Sequence, residues 1–274
     1  MSHTPAVSKA STDQLRTVEF LGLHFDDLNA SAALTKVKQL IGKAGFSYVV
    51  TPNVDHMVAL NRTADGTLLT AYDYADLTLC DSRILSQLAR RSGLTLAAVP
   101  GSDLTRQLLD TPDARWRCAI IGGDAALHTD IQRLYPQHNW SFHQPPMGVR
   151  RNPAARLQIA AFVENADVDI FFFAIGAPQS EICCHEIAKR GRAHGVALCI
   201  GASLEFLTGA KKRAPLWMQR SSLEWLHRLG SEPKRLGRRY LLEGPPIFLI
   251  WRRWSKLKTV RRPAESGSMP SDGP

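Results

Sequence analysis

Residues 46–61 read FSYVVTPNVDHMVALN, an apolar run that passes directly into a helical pattern. The run FSYVV predicts a buried strand, and the residues after Asn53 predict a helix. The junction places a hydroxyl, a carboxamide, a carboxylate and an imidazole within six residues, on Thr51, Asn53, Asp55 and His56. A chain that needed only a turn could use Gly-Asn or Asp-Gly. The stretch therefore predicts a strand whose end carries functional groups.

Four further apolar runs are each followed by a polar or glycine-containing turn. They are ADLTLCD at 75–81, WRCAIIGG at 116–123, VDIFFFAIG at 168–176 and VALCIG at 196–201. Continuous apolar runs are typical of strands that are covered on both faces. Their alternation with helical patterns predicts an α/β fold, with a Rossmann-like, mostly parallel sheet flanked by helices.

The turns after these runs are rich in polar residues and glycines. Ligands of parallel sheets bind beyond the carboxyl ends of the strands. We therefore expect ligands to bind at one edge of the sheet, which concentrates polar residues and glycines: Thr51, Asn53, Asp81, Arg83, Gly122, Gly123, Gly176, Gln179, Glu181, Gly201 and Ser203.

The composition of the chain changes along its length. We predict four segments: a disordered leader at 1–16, an α/β core at 17–210, a basic helical appendage at 211–262 and a disordered tail at 263–274. Residues 18–45 predict one or two strands and then a helix capped by Asn29-Ala30-Ser31. Residues 143–153 predict a loop. The appendage is expected to break at Glu232-Pro233 and at Gly244-Pro245-Pro246.

The net charge of +9 is concentrated in the appendage. Residues 211–262 hold 15 Lys and Arg against three Glu, a net charge of +12, so the rest of the chain carries −3. This charge favours an anionic partner, which could be nucleic acid, phospholipid or a phosphorylated ligand. Four of its arginines could grip a pyrophosphate from one helical face: Arg228, Arg235, Arg238 and Arg239.

Aromatic residues accompany the positive charge near the end of the appendage. PPIFLIWRRWSKLK at 245–258 places Phe248, Trp251 and Trp254 between cations, which suits a membrane interface with anionic headgroups. A solvated basic face is the alternative, and Trp217 and Trp225 are expected to pack beneath the helices. Since no recognisable nucleic-acid module accompanies the charge, we predict no nucleic-acid partner.

Several classes of protein are disfavoured by what the sequence lacks. No apolar run reaches the roughly 18 residues of a membrane span, and the first residues lack the apolar segment of a secretory signal. Without Cys-x-x-Cys or His-Glu-x-x-His spacing, we predict no structural zinc and no cofactor. Five cysteines are expected to be buried free thiols in a reducing compartment: Cys80, Cys118, Cys183, Cys184 and Cys199.

Each candidate residue at the strand ends has a structural alternative. Asp81 could act as a general base after a buried strand, or it could cap the helix that follows. Thr51 and Asn53 could orient a sugar or phosphate, but Asn53 could instead cap VDHMVALN. A histidine in the position of His56 is more often packed or at the surface than functional.

Two glycine-containing turns are weak signals for a phosphate. GAPQSE at 176–181 offers free backbone N–H groups to an anion, or it is an ordinary loop between strand and helix. It lacks both the G-x-G-x-x-G spacing and a P-loop lysine, and IGGD at 121–124 is equally weak.

The chain resembles the WecB/TagA/CpsF glycosyltransferases, glycosyltransferase family 26, in a series of motifs. These are TPNVDHM, the aspartate that ends ADLTLCD, VPGSDL, PPMG, FFAIGAPQSE, IGASLEFLTGAKKRAPLWMQRSSLEWLHRL and EPKRLGRRYL. The resemblance covers roughly residues 18–245 and is most specific between Ala202 and Tyr240. It implies a metal-independent, inverting transferase that moves a sugar from a UDP-sugar to a polyprenyl-diphosphate-linked saccharide in exopolysaccharide or cell-surface polysaccharide synthesis.

The resemblance also implies where the protein works and with what. It predicts a peripheral protein on the cytoplasmic face of the plasma membrane, with an anionic membrane surface as a partner and possible self-association. Asp81 falls on the general base of the family, and Thr51 and Asn53 fall on its Thr and Asn, so the resemblance implies that all three are catalytic. The remaining expected contacts are Gly122, Gly176, Pro178, Gln179, Ser180, Glu181, Glu205 and Arg83 for the nucleotide-sugar, and Arg213, Arg228, Arg235, Arg238 and Arg239 for the acceptor diphosphate.

Three stretches depart from the family pattern. Asp81 is followed by Ser82 where Gly is usual, Ala97-Ala98-Val99 replaces Glu-Arg-Val, and residues 178–181 read PQSE instead of PKQE. We hypothesise that Arg83 takes over from the missing arginine. The departures leave a second interpretation, in which the chain is a non-catalytic relative that binds a nucleotide-sugar or serves as a scaffold.

Overall fold

A computed structural model describes residues 16–62, 66–215, 217–218, 224–231 and 245–260. The chain begins with an antiparallel hairpin, β1 (Thr17–Phe20) and β2 (Leu23–Asp26). A second sheet follows, with six strands: β3 (Phe46–Val50), β4 (Leu77–Thr78), β5 (Arg117–Ile121), β6 (Asn139–His143), β7 (Ile170–Phe173) and β8 (Gly195–Cys199). Its order is β4-β3-β8-β7-β5-β6, and every neighbouring pair is parallel.

Helices connect the strands and cover the sheet. In chain order they are α1 (Ala30–Ile41), α2 (Val54–Arg62), α3 (Thr67–Asp73), α4 (Arg83–Arg91), α5 (Gly101–Leu109), α6 (Ala125–Leu134), a 3₁₀ helix (Val149–Arg151), α7 (Pro153–Asn165), α8 (Gln179–Arg190), α9 (Ser203–Leu207), α10 (Glu224–Ser231) and α11 (Pro246–Val260). Asn29 caps α1 as predicted, because its side chain accepts a hydrogen bond from the Ala32 N–H. Helix α11 begins at Pro246, at the expected break at Gly244-Pro245-Pro246, whereas the expected break at Glu232-Pro233 lies outside the described residues.

The core lies on both faces of the parallel sheet. Successive residues of β7 point to opposite faces, so Phe171 and Phe173 join one hydrophobic cluster while Ile170 and Phe172 join the other. All four side chains are fully buried. The predicted α/β fold with strands covered on both faces is therefore confirmed.

Some elements differ from the predictions. Strand β6 was not predicted, because Asn139–His143 alternates polar and aromatic residues and its side chains stay partly exposed at the edge of the sheet. The run at 75–81 forms a ladder only at Leu77 and Thr78, followed by an isolated bridge between Cys80 and Ala98. The predicted loop at 143–153 holds the end of β6, the 3₁₀ helix and the start of α7. All five cysteines are buried and unpaired, as expected.

Helix α11 packs on the core through one face. Ile247 is buried, the Trp251 indole N–H donates to Ser92 Oγ over 2.8 Å, and the Trp254 ring meets Phe20 edge-on at 5.2 Å. Of the three aromatic residues expected at a membrane, only Phe248 is largely exposed, while the two tryptophans face the protein. Trp217, expected to be packed, is 62% exposed. No helix in the described part of the chain is long and apolar enough to cross a membrane.

Candidate active site

One large cleft opens at the carboxyl ends of the parallel strands. Its volume is about 1410 Å³, larger than the 300–1,000 Å³ typical of a site for one small ligand. Residues predicted at the strand ends and in the turns after them line this cleft: Thr51, Asn53, Asp81, Arg83, Gly122, Gly176, Pro178, Gln179, Ser180, Glu181 and Glu205. The fold therefore brings together eleven residues that are spread over more than half of the chain.

Three polar side chains converge on Gly101, the first residue of α5. A methyl group built at Gly101 would lie 3.1 Å from Thr51 Oγ1, 3.5 Å from Ser203 Oγ and 3.7 Å from Asp81 Oδ2. The N-terminus of α5 opens onto the cleft here, since Pro100 and Ser102 also line it. The positive end of a helix favours negative charge nearby, so this corner suits an ionised carboxylate.

Backbone contacts fix the two strand ends that carry Thr51 and Asp81. The Thr51 hydroxyl donates to the Cys199 carbonyl over 3.1 Å and so joins the ends of β3 and β8. The Asp81 N–H donates to the Pro52 carbonyl over 3.0 Å, which sets Asp81 beside the end of β3. Asp81 is partly exposed, whereas Thr51 and Ser203 are buried. The carboxylate can therefore reach a ligand while its neighbours hold the corner in shape.

The structure decides the capping alternatives. Ser82, not Asp81, caps α4, because Ser82 Oγ accepts a hydrogen bond from the Leu85 N–H over 3.2 Å. Asn53 does cap α2: its Oδ1 accepts from the Asp55 N–H over 3.0 Å. The His56 Nδ1 accepts from the Asn53 N–H over 2.9 Å, which closes the same helix end. Asp81 is therefore not needed as the cap of α4, whereas Asn53 and His56 have structural roles.

The predicted glycine turn after β5 is tightly packed against the turn after β7. Gly122 has φ +102°, and a methyl group there would lie 2.9 Å from Ile175 Cγ2 and 3.1 Å from the Ala174 carbonyl oxygen. The Gly122 N–H donates to the His143 carbonyl over 2.8 Å. Only glycine fits this close approach, so Gly122 shapes the cleft floor through its missing side chain.

The turn at 176–181 uses its own polar groups to begin α8. The Gln179 amide donates to the Ile175 carbonyl, and the Ser180 hydroxyl donates to the Gly176 carbonyl over 3.0 Å. Both side chains are thus engaged in closing the turn, although both residues line the cleft. Their expected contacts with a nucleotide-sugar remain predictions.

Glu181 differs from the other carboxylates that line the cleft, Asp55, Asp81 and Glu205, because it is almost completely buried. It is 3% exposed, its Oε1 accepts from the Tyr72 hydroxyl over 3.4 Å, and its Oε2 has no hydrogen-bond partner within the described residues. Burial raises the pKa of Glu181 to about 7, although its own backbone N–H and the Tyr72 hydroxyl act in the opposite direction. A carboxyl in this setting can hold a proton near neutral pH.

Several cations surround the mouth of the cleft. Arg83, Lys211 and Lys212 line it, and Lys211 forms an ion pair with Glu205. Arg213 is engaged elsewhere: its guanidinium forms a two-pronged pair with Asp103 on the first turn of α5, with Nη2 2.9 Å from Oδ2. This pair ties the start of the appendage to the helix that meets Asp81.

The other predicted arginines of the appendage have side chains outside the described residues. Arg228 belongs to α10, but its side chain lies outside the described residues, as do Arg235, Arg238 and Arg239 entirely. Among the side chains that the structure describes, no group of three or more His, Cys, Asp or Glu is arranged to hold a metal ion.

Two residues of the site were not predicted as such. Gly101 belongs to VPGSDL, which was recognised only as a motif, and Ser203 was noted only as a polar residue at a strand end. Their importance comes from the convergence of Thr51, Ser203 and Asp81, which are distant in sequence, on the position that a Cβ of Gly101 would occupy. The glycine after Pro100 was the available signal, since glycine at the start of a helix can permit a close approach.

The fold and the cleft together define a Rossmann-like α/β enzyme with a polar site at the carboxyl edge of its sheet. Residues 18–262 match the Glycosyl transferase WecG/TagA/CpsF family. The chain belongs to this family and is a glycosyltransferase, which confirms the family predicted from the motifs.

Named relatives match this chain over most of its length. It is 25% identical over 243 residues to the N-acetylglucosaminyldiphosphoundecaprenol N-acetyl-beta-D-mannosaminyltransferase of Staphylococcus aureus strain MRSA252, and the match covers 85% of this chain and 90% of that protein. The protein of the same name from strain MW2 is similar to the same degree.

Proposed function

We propose that the protein is an inverting, metal-independent glycosyltransferase that moves a sugar from a UDP-sugar to a polyprenyl-diphosphate-linked saccharide in the synthesis of an exopolysaccharide or cell-surface polysaccharide. The observation that carries this proposal is the corner of the cleft where Asp81 Oδ2 meets Thr51, Ser203 and the N-terminus of α5. The names of the relatives support a lipid-linked acceptor and an N-acetylhexosamine as the transferred sugar.

In the proposed reaction, Asp81 is the general base. Its carboxylate takes the proton from an acceptor hydroxyl as that oxygen bonds to the anomeric carbon of the donor sugar. The bond between the anomeric carbon and the diphosphate oxygen breaks on the opposite face, and its electron pair leaves with UDP. A single displacement of this kind inverts the anomeric carbon. Thr51 and Ser203 hold the corner in which Asp81 acts.

The departing diphosphate requires positive charge. The candidates in the cleft are Arg83, Lys211, Lys212 and the backbone N–H groups at the start of α5. We propose that Arg83, exposed at the first position of α4, meets the diphosphate. The Arg83→Ala variant is then expected to lose about 10²-fold in turnover. Arg91→Ala, at the exposed far end of the same helix, is the matched control, and equal turnover in the two variants would contradict this role.

The appendage is proposed to meet the membrane through the outer face of α11. Leu249 and Leu257 are exposed there and are interspersed with three exposed cations, Arg252, Arg253 and Lys256, while the half-exposed Phe248 lines the cleft. Apolar side chains flanked by cations suit insertion among anionic headgroups. We propose that the protein acts peripherally on the cytoplasmic face of the plasma membrane, where it can reach the lipid-linked acceptor. The appendage arginines are proposed to bind the acceptor diphosphate there.

The outer face of α11 can be tested with vesicles. Wild-type protein is expected to sediment with vesicles that contain anionic lipid and not with purely zwitterionic ones. A variant with Leu249→Ser and Leu257→Ser is expected to bind less strongly, because it loses the exposed apolar side chains. Leu69→Ser, at another exposed leucine, is the matched control. Equal vesicle binding by all three proteins would contradict a membrane role of this face.

The activity is tested by UDP release. The protein is incubated with UDP-sugars and a short-chain polyprenyl-diphosphate-saccharide in the presence of EDTA. Release that depends on acceptor, survives EDTA and is abolished by Asp81→Asn is the expected result. Binding of UDP-sugars without turnover with any acceptor would favour the second interpretation, in which the chain is a non-catalytic scaffold; the three departures from the family pattern support that alternative.

A further inference from the structure

Glu181 lines the cleft and carries a buried carboxyl oxygen that has no hydrogen-bond partner within the described residues. The residue lines the cavity at the third position of α8 and is 3% exposed. Its Oε1 meets the Tyr72 hydroxyl, but its Oε2 has no partner within the described residues. Buried polar atoms in folded proteins are almost always hydrogen-bonded. A ligand in the cleft is therefore the candidate for the missing partner.

The groups around the Glu181 carboxyl are neutral. Burial raises the pKa values of the surrounding phenols and thiols, which come from β3, α3, α8 and β8: Tyr48, Tyr72, Cys183, Cys184 and Cys199. His185, one turn further along α8, is also kept neutral because burial lowers its pKa. In the described part of the chain, Glu181 forms no ion pair with a lysine or arginine.

This environment selects the chemistry of a ligand group at Oε2. A phosphate is a poor match, because no lysine or arginine of the described residues pairs with the carboxyl and offsets its repulsion from a phosphate. With the Glu181 pKa raised to about 7 by burial, the carboxyl is mostly protonated below neutral pH and can donate a hydrogen bond. A sugar hydroxyl can donate or accept and so suits either protonation state. A carbonyl oxygen only accepts, so it selects the protonated acid.

We propose that Glu181 recognises the acetamido group of an N-acetylhexosamine donor, with the carboxyl Oε2–H donating a hydrogen bond to the acetyl carbonyl oxygen. The inference rests on the proposed function, since it assigns one substituent of the donor sugar to this part of the cleft. Leu68, one turn before Tyr72 on α3, and Cys199 also line the cavity and provide apolar surface for the acetyl methyl group.

The inference is tested by the affinity for donors with and without the acetamido group. Isothermal titration calorimetry would compare UDP-N-acetylmannosamine with UDP-mannose, UDP-N-acetylglucosamine with UDP-glucose, and UDP alone, at pH 6 and pH 8.5. For one of the two pairs, wild-type protein is expected to prefer the N-acetylated sugar about tenfold at pH 6 and less at pH 8.5, because the donated proton is lost. UDP alone carries no acetamido group, so its affinity should not show this loss at pH 8.5.

Two variants separate recognition from structure. Glu181→Gln keeps a hydrogen-bond donor that does not titrate, so its preference for the N-acetylated sugar should be the same at both pH values. Glu181→Leu removes the hydrogen-bond donor, so the preference of this variant for the N-acetylated sugar should fall about tenfold at pH 6. Its affinity for UDP should stay that of the wild type. Circular dichroism checks that both variants fold, and if Glu181→Leu does not, the pH contrast between wild type and Glu181→Gln decides the question.

The possible failures are distinguishable. If wild-type protein binds neither UDP nor any UDP-sugar, the proposed function fails and this inference fails with it. If UDP-sugars bind but the acetamido group brings no preference, only the inference fails. A preference that persists unchanged in folded Glu181→Leu would also overturn it.

Discussion

The cleft contains two carboxyl groups in opposite surroundings. Asp81 lies partly exposed at a strand end, beside two hydroxyl groups and the positive end of α5. Glu181 is buried among phenols and thiols, with one oxygen left without a partner in the described chain. The first setting suits an ionised base and the second a neutral hydrogen-bond donor. The difference shows that residue type alone does not assign a role, because the neighbours decide which charge state the carboxyl keeps.

Replacing Asp81 is expected to have the largest effect. Asp81→Asn removes the proposed base but keeps the shape of the side chain, so turnover should fall by about 10²–10⁴-fold while the affinity for the donor sugar changes little. Acceptor-dependent UDP release measures the first quantity and calorimetry the second. Asp55→Asn, which removes another carboxylate that lines the same cleft, is the control and should lose less than about tenfold. If Asp81→Asn retains wild-type turnover, the contrast between the two carboxyls has no catalytic meaning.

The burial of Glu181 should be visible in the stability of the protein. Burial raises the pKa of Glu181 from 4.5 to about 7, so the folded protein holds the proton more tightly than the unfolded chain does. This contribution is present below pH 4.5 and is lost as the pH rises through 7, a total of about 3 kcal/mol. Between pH 5 and pH 8, the unfolding free energy of the wild type should therefore fall relative to that of Glu181→Gln.

Urea denaturation at several pH values measures this difference. Glu19→Gln, at an exposed carboxyl of β1, is the control and should follow the wild type across the range. If wild type and Glu181→Gln give parallel curves, the Glu181 carboxyl is ionised at neutral pH and the two carboxyls of the cleft behave alike.

A smaller effect is expected when the corner around Asp81 is crowded. The methyl group of Gly101→Ala would lie 3.1 Å from Thr51 Oγ1, so Thr51 must move and the position of Asp81 changes with it. Turnover should fall by about tenfold, because small displacements of reacting groups are costly. Gly42→Ala is the matched control, since its nearest neighbour outside the adjoining residues would be 3.8 Å away. Similar turnover in both variants would show that the corner tolerates movement.

The smallest expected effect separates capping from catalysis. Ser82→Ala removes the cap of α4 and should lower the unfolding free energy by about 1 kcal/mol. Asp81→Asn should change the unfolding free energy less, because Asp81 does not cap the helix. Thermal or urea unfolding of the two variants measures both values. A larger loss of stability in Asp81→Asn than in Ser82→Ala would mean that Asp81 has a structural role of its own.

The parts of the site that could be predicted are those encoded locally. Apolar runs that end in polar turns located the strands β3, β5, β7 and β8 and the edge of the sheet where ligands bind. Strand β6 was missed because an edge strand with one exposed face lacks a continuous apolar run. The order of strands could not be predicted either, since it depends on pairings between residues that are far apart in sequence.

The environment of each carboxyl could not be predicted from the sequence for the same reason. Nothing in GAPQSE indicates that Glu181 is buried, because its burial comes from Tyr72 on α3 and from Cys199 on β8. Nothing near Asp81 indicates that Gly101 brings a helix terminus against it. The sequence identified the polar residues of the cleft, but their charge states depend on contacts formed only in the folded protein.

The position of β8 has a consequence for how the protein is made. This strand is the last of the sheet to be synthesised, yet it lies between β3 and β7 and joins Thr51 to Cys199 across 148 residues of sequence. Until residues 195–199 emerge from the ribosome, the nascent chain holds two partial sheets, each with an open edge that can pair wrongly. The last strand inserted closes both edges and completes the corner that holds Thr51 and Asp81. An incompletely synthesised chain therefore has no assembled active site with which to consume donor.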